Sequence, residues 1–247
     1  MAPMGKLYGQ RDEPGAMLRL KALLVDFDGT LADHEAVFAE ELDGLLGLPG
    51  REIFRLWLEV HREEVHTDFP DRHEDPVFHL ERVARRAGRR PGRKEAEEFR
   101  AAFQRGAWRS SRQPRFHRDS LDFLRHGLRP EAPLFALSTG DRAAAKARAA
   151  AQAVGRPAFR LILSEETLGI RKDRPEFFRR ACERLRLRPR EVAYLGDLPL
   201  HDVGPARAAG LWSVYVNRKT EAIPPGRPRP HFEVRDLWEA RRELGLL

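Results

Sequence analysis

At 247 residues, with 41% hydrophobic and 34% charged positions, the chain is long enough to bury a sizeable core, and its apolar segments are too well patterned for a disordered chain. No run of 18 or more apolar residues exists, and MAPMGKLYGQRDEPGAM lacks the apolar stretch of an export signal, so no membrane association is expected and a cytoplasmic location is. The formal charge of +7 favours anionic partners, but the arginines are spread along nearly every segment rather than interleaved with aromatics, so nucleic acid is not an expected partner.

The first patterned segment, KALLVDF (21–27), is a short apolar run that reads as a fully buried strand. From His34 the period changes. HEAVFAEELDGLLG (34–47), REIFRLWLEVHREEV (51–65), DPVFHLERVARRAG (75–88) and RKEAEEFRAAFQRGAW (93–108) carry helical spacing, separated by LPG, DFPDRHEDP and RRPG. DSLDFLRHGL, from Asp119, is a further helix. Beyond it APLFALS (132–138), FRLILS (159–164), EVAYLGD (191–197) and LWSVYV (211–216) read as strands, alternating with helical DRAAAKARAAAQAV, RPEFFRRACERLRL and DVGPARAAG. The proline-rich PPGRPRP (224–230) leads to a C-terminal helix, VRDLWEARREL. The single cysteine, Cys182, excludes an internal disulfide and reads as small apolar filler in its helix.

Alternating strands and helices predict an α/β fold, a Rossmann-like doubly wound parallel sheet formed discontinuously by residues 18–32 and 116–247. Residues 33–115 are expected to form an inserted α-helical domain, with Phe54, Trp57 and Leu58 in its core. Its histidines, His61, His66, His73 and His79, lack tight metal-ligand spacing and read as partly solvated.

In an open parallel sheet, ligand groups collect beyond the carboxyl ends of the strands. The first strand ends in Asp26 and Asp28, the second in Ser138 and Thr139; the third leads through SEETLGIRK to Lys172, and the fourth ends in Gly196 and Asp197, with Asp202 shortly after. Carboxylates brought this close repel: at an effective dielectric near 20, two unit charges 4 Å apart cost about 4 kcal/mol. A cation must sit among them, and all-oxygen donors suit Mg²⁺, which shares its coordination with water and phosphate oxygens. Ser138 and Lys172 then offer a hydroxyl and a positive charge to a dianionic phosphate. As bland alternatives, Ser138 caps a helix near Asp141, Lys172 is a surface lysine, and Asp197 and Asp202 are loop acids.

The set resembles the haloacid dehalogenase superfamily, whose four motifs match in order: DFDGTL (26–31), LFALSTG (134–140), GIRKDRPEFF (169–178) and LGDLPLHD (195–202). The resemblance implies a Mg²⁺-dependent phosphatase with Asp26 as nucleophile and Asp28 as acid/base, forming an aspartyl-phosphate. It implies phosphate binding by Ser138, Thr139, Lys172 and the loop glycine Gly29. The metal set is Asp26 and Asp197 through their side chains and Asp28 through its carbonyl, with Asp202 helping through water or orienting Lys172. Thr30 is expected to hydrogen-bond the loop or the helix start. Family members often read KPDP where this chain has Lys172-Asp173-Arg174-Pro175, and SN where it has Ser138-Thr139, which makes Asp173 a candidate partner of Lys172 or Arg174. Only 24 residues separate Lys172 from Asp197, so the one insertion lies between the first two motifs, the arrangement of members with a helical cap. Asp33, His34, Glu35, Arg55 and Arg62 are its candidate specificity residues.

The expected substrate is a small phosphorylated metabolite, and the expected state a monomer or homodimer. Two rivals stay open: a phosphomutase of the same superfamily, and a non-catalytic module that binds anions or nucleic acid through its basic surface.

Overall fold

The computed structural model describes residues 6–7, 18–65, 68–72, 75–127, 129–223 and 225–246. The chain divides into two compact units, one formed by Asp33–Arg115 and the other by the segments before and after it.

The inserted unit is built from α1 (His34–Leu42), α2 (Gly50–Val60), α3 (Pro76–Arg86) and α4 (Arg93–Arg112). Its starts are fixed by side chains: Asp33 accepts from the Ala36 amide at 3.0 Å, and Asp75 from the Val77 and Phe78 amides at 3.1 and 3.0 Å. The predicted 34–47 helix breaks after Leu42 into a short 3₁₀ turn, Leu45–Gly47, and the predicted 51–65 helix passes into a π turn, His61–Val65. Phe38, Phe54, Leu80, Val83 and Phe99 fill the core, and the half-buried Trp57 stacks on Phe54 at 5.8 Å.

The other unit carries β1 (Lys6–Leu7), β2 (Ala22–Val25), β3 (Leu134–Thr139), β4 (Leu161–Ser164), β5 (Val192–Gly196), β6 (Trp212–Val216) and β7 (Phe232–Val234). Its helices are α5 (Arg118–His126), α6 (Ala143–Val154), α7 (Glu165–Leu168), α8 (Pro175–Leu185), α9 (Gly204–Ala208) and α10 (Leu237–Glu243). The sheet order is β1-β7-β6-β5-β2-β3-β4, parallel from β7 to β4, with β1 antiparallel to β7 at the edge. Alternation along β2 sorts the two faces. Leu23 and Val25 pack with Phe123 and Leu124 of α5 and Leu237 and Ala240 of α10, whereas Ala22 and Leu24 pack with Phe177, Phe178 and Ala181 of α8. Every β2 side chain is therefore buried, which is why its sequence shows no polar alternation. The fold is α/β and Rossmann-like, as its sequence pattern predicts.

The sequence pattern misses the edge: β1 has two residues and β7 three, too few for a periodic signal. The predicted C-terminal helix starts later than its pattern suggests, because Val234 ends β7 and Asp236 caps α10 by accepting from the Glu239 amide at 2.7 Å. Cys182, on α8, is buried in the cluster with Ala22 and Leu24 of the sheet, and burial pushes its thiol up to about 11, in keeping with a packing role.

Candidate active site

Strand β2 is where the sheet order reverses, with β3 on one side and β5 on the other. Val25 pairs with Leu137 and with Leu195, so the residues that follow, Asp26, Ser138 and Gly196, stand side by side at the strand ends. The Asp26 amide still donates to the Leu195 carbonyl at 2.9 Å, and then the chain folds back. The amides of Leu31 and Ala32 both donate to the Phe27 carbonyl, at 2.9 and 3.0 Å, and the Gly29 amide donates to the Ala32 carbonyl at 2.8 Å. What Gly29 contributes here is space and conformation: its φ is +79°, and a Cβ built on it would lie 2.1 Å from Asp197 Oδ2.

Lys172 is the hub. Its ammonium donates to Asp26 Oδ1 at 2.6 Å and pairs with Asp202 Oδ1 at 2.9 Å, while its amide donates to Glu165 at 3.1 Å. Asp202 is buried, and its other oxygen accepts from the Leu198 amide at 3.2 Å. Asp26, Asp197 and Asp202 each offer a carboxylate oxygen, all within 4.8 Å of one another. Burial, together with the charges of Asp202 and Asp28, outweighs Lys172 and pushes the Asp26 carboxyl up to about 7. Burial opposes the charge on Lys172, but the two acids reverse that effect and hold its pKa above the ordinary lysine value. A carboxylate held this reluctantly, beside two more, fits a hard divalent cation that would relieve the repulsion.

Ser138 is buried in β3, and among the described residues its hydroxyl has no hydrogen-bond partner. It caps no helix, since α6 begins after Arg142 without a side-chain cap. Thr139 is turned to a different use: its hydroxyl accepts from Lys146 Nζ at 3.0 Å. The same ammonium donates to Asp28 Oδ2 at 2.6 Å and Asp141 Oδ1 at 3.1 Å. Burial works against that charge too, and Asp28 and Asp141 more than compensate, raising its pKa. Asp173 pairs with Arg171 at 2.8 Å. The Thr30 hydroxyl is buried and has no partner among the described residues, and its carbonyl instead accepts from Arg218 Nη2 at 2.6 Å, while Arg218 also pairs with Asp119 at 2.9 Å.

Sequence reasoning overlooks three side chains here: Lys146, Arg218 and Tyr194. Tyr194 lies fully buried on β5, with Lys172 Nζ 5.7 Å from its ring centroid. Gly196 makes room for it, since a Cβ there would come within 2.7 Å of the Tyr194 hydroxyl and 2.8 Å of Asp202 Oδ2. Burial and the neighbouring acids push the phenol well above its usual range.

In the inserted unit, Asp33 serves as the α1 cap, His34 packs edge-on against Phe54 at 5.4 Å, and Arg55 pairs with Glu59. The side chain of Arg62 and the whole of His66 and His73 lie outside the described residues. His79 is not partly solvated. It is buried, stacked 5.2 Å from Trp57, with its Nδ1 donating to the Asp75 carbonyl at 2.7 Å and its Nε2 3.0 Å from His61 Nδ1, and these contacts make burial of the ring possible.

A profile of haloacid dehalogenase-like hydrolases matches residues 20–210, which takes in all four strand-end motifs. The chain belongs to this hydrolase family. Two curated relatives of the hydrolase are similar over part of their length. Glyceraldehyde 3-phosphate phosphatase of Methanopyrus kandleri is 34% identical over 90 residues, 34% of this chain and 38% of that protein. Phosphoserine phosphatase of Thermus thermophilus is 38% identical over 81 residues, 33% of this chain and 32% of that protein. Each match thus spans about a third of the relative. Among solved structures, the magnesium-bound HAD-hydrolase YfnB of Bacillus subtilis aligns over 92% of this chain and 99% of its own, with a TM-score of 0.67 at 17% identity. A dehalogenase with an intermediate complex aligns over 93% and 99%, with a TM-score of 0.70 at 19% identity. At these identities the likeness is one of fold. No helix among the described residues is long and apolar enough to cross a membrane.

Proposed function

We propose that this hydrolase is a Mg²⁺-dependent phosphatase of a small phosphorylated metabolite, acting through an aspartyl-phosphate on Asp26. The observation that carries the reading is the second carboxyl of the loop, Asp28, two residues beyond Asp26 and held by Lys146 at 2.6 Å. A leaving alkoxide needs a proton, whereas a leaving halide needs none, so an acid at this place distinguishes ester hydrolysis from dehalogenation. The two partial relatives named as phosphatases support the same choice.

The Asp26 carboxylate would attack phosphorus, forming the Asp26 O–P bond as the ester P–O bond breaks, and Asp28 would give its proton to the departing oxygen. Asp28 would then take a proton from water as that water attacks phosphorus, which frees Asp26 and releases phosphate. Lys172 would hold the nucleophile's oxygen and shield its charge, and the unpartnered Ser138 hydroxyl would donate to a phosphoryl oxygen. Asp26 and Asp197, with the Asp28 carbonyl, would hold Mg²⁺, and Asp202 would orient Lys172. When bound, the ion supplies charge neutralisation for the phosphoryl oxygens.

The test offers the purified protein p-nitrophenyl phosphate, a panel of sugar, nucleotide and two-carbon-acid phosphates, and 2-chloropropionate, with and without Mg²⁺. Phosphate release that needs Mg²⁺, with no chloride release, is the expected result. Chloride release without phosphate release would make it a dehalogenase, isomerised phosphate ester a mutase, and neither product a binding module.

A further inference from the structure

We propose that Lys146 is a positioning residue for Asp28, locking the proton-transferring carboxyl to the end of β3; the inference rests on the phosphatase reading above. The side chain is only 2% exposed, and the ammonium spends its three N–H donors on three oxygens: Asp28 Oδ2 at 2.6 Å, Thr139 Oγ1 at 3.0 Å and Asp141 Oδ1 at 3.1 Å. These partners come from the nucleophile loop, the end of β3 and the turn before α6, so one side chain fastens Asp28 to the strand that carries Ser138.

Local preferences argue against a lysine here. Lys146 stands in the first turn of α6, where the helix dipole disfavours a cation, and the rest of that turn is alanine. Fold stability does not ask for it either, because a buried ion pair is seldom better than well-packed apolar groups of the same volume. A buried ammonium placed against the dipole, with one partner in the reacting loop, is explained by what it does to that partner. Asp28 sits on a loop side chain that is one-third exposed and must meet a leaving oxygen within hydrogen-bond reach. A tether that removes its rotational freedom acts on turnover and leaves the Asp26, Asp197 and Asp202 cluster alone.

The test compares Lys146→Met and Lys146→Gln with the wild-type protein on p-nitrophenyl phosphate. The expected result is a fall in kcat of about 10- to 100-fold in both variants. The KM, the inhibition constant of inorganic phosphate and the half-saturating Mg²⁺ concentration should stay within about twofold. A residue that merely supports the fold would shift these binding constants together with kcat, or leave kcat alone. If one variant fails to fold, as judged by thermal melting, the other decides. A kcat within about threefold of wild type, or a parallel loss of substrate, phosphate and metal binding, would overturn the proposal. Wild-type protein that releases no phosphate from any ester would instead remove the phosphatase reading, and this inference with it.

Discussion

Replacing Gly29 with alanine separates backbone strain from damage to the acids proposed to hold the metal. At φ +79° an alanine costs about 1–2 kcal/mol in conformation alone. The added Cβ would lie 2.1 Å from Asp197 Oδ2 and 2.5 Å from its Cγ, and real contacts of this kind do not fall below 3.0 Å. The Asp197 carboxylate must therefore withdraw by roughly 1 Å, or the loop must shift by as much, and a misplacement of that size in a reacting site costs on the order of 100-fold in rate. Forcing a methyl into packed surroundings adds about 1–3 kcal/mol to the strain. Gly155 supplies the control: its φ is +81°, yet a Cβ there meets nothing within 4 Å. Gly155→Ala should thus lose stability by about 1–2 kcal/mol and keep its activity. Gly29→Ala should lose about 100-fold in kcat and require more Mg²⁺, measured by phosphate release across a Mg²⁺ titration with urea unfolding alongside. Equal kcat and equal Mg²⁺ requirement in Gly29→Ala and wild type would show that Asp197 needs no fixed place, and the argument would fail.

Asp26→Asn should reduce kcat by more than about 10⁴-fold while its melting temperature stays close to wild type, and turnover near the wild-type rate would refute the nucleophile. Because burial first, and then Asp202 and Asp28, push the Asp26 carboxyl up to about 7, the group carries a proton below that pH, and this proton must leave before a cation can bind. Calorimetric Mg²⁺ affinity should accordingly rise by about tenfold per pH unit up to pH 7 and level off above it, and a flat profile between pH 5.5 and 7 would contradict the burial argument. Arg218→Met should cost about 3–5 kcal/mol in urea unfolding, since it leaves the buried Asp119 without the guanidinium 2.9 Å away and frees the Thr30 carbonyl; a loss below about 1 kcal/mol would mean that Arg218 does not fasten the loop.

The part of the site legible in the sequence is the part in which a local signal coincides with a chemical one. Asp26, Ser138 and Asp197 each follow an apolar run that stops abruptly, and a strand end in a parallel sheet is where the fold delivers side chains to a common rim. Lys172 carries no such signal of its own, and its order among the motifs identifies it. Arg218 and Tyr194 were not legible: one reaches a loop 188 residues away in sequence, and the other hides in a strand whose apolar character makes a tyrosine read as filler. Lys146 lies between these cases. Its segment, AAAKARAAAQAV, reads as an ordinary helix with a solvated lysine, and only the packing of α6 turns that side chain inward.

A signal for it did exist in the choice of amino acid. The chain uses lysine at only six of its 45 basic positions, and arginine, with its rigid planar fork, suits bidentate partners, whereas a compact ammonium can aim its three rotatable donors at separate oxygens. The buried Lys146 reaches three oxygens in this way, and the part-buried Lys172 two. The signal is not sufficient, because Lys21 and Lys94 form surface pairs with Glu191 and Glu98. Lysine in an arginine-rich chain thus nominates positions that need separately aimed donors rather than a fork, and topology must then say which of them face the carboxyl rim. Here it selects the two that reach the acids to which the proposed mechanism assigns a step, Lys172 at Asp26 and Lys146 at Asp28.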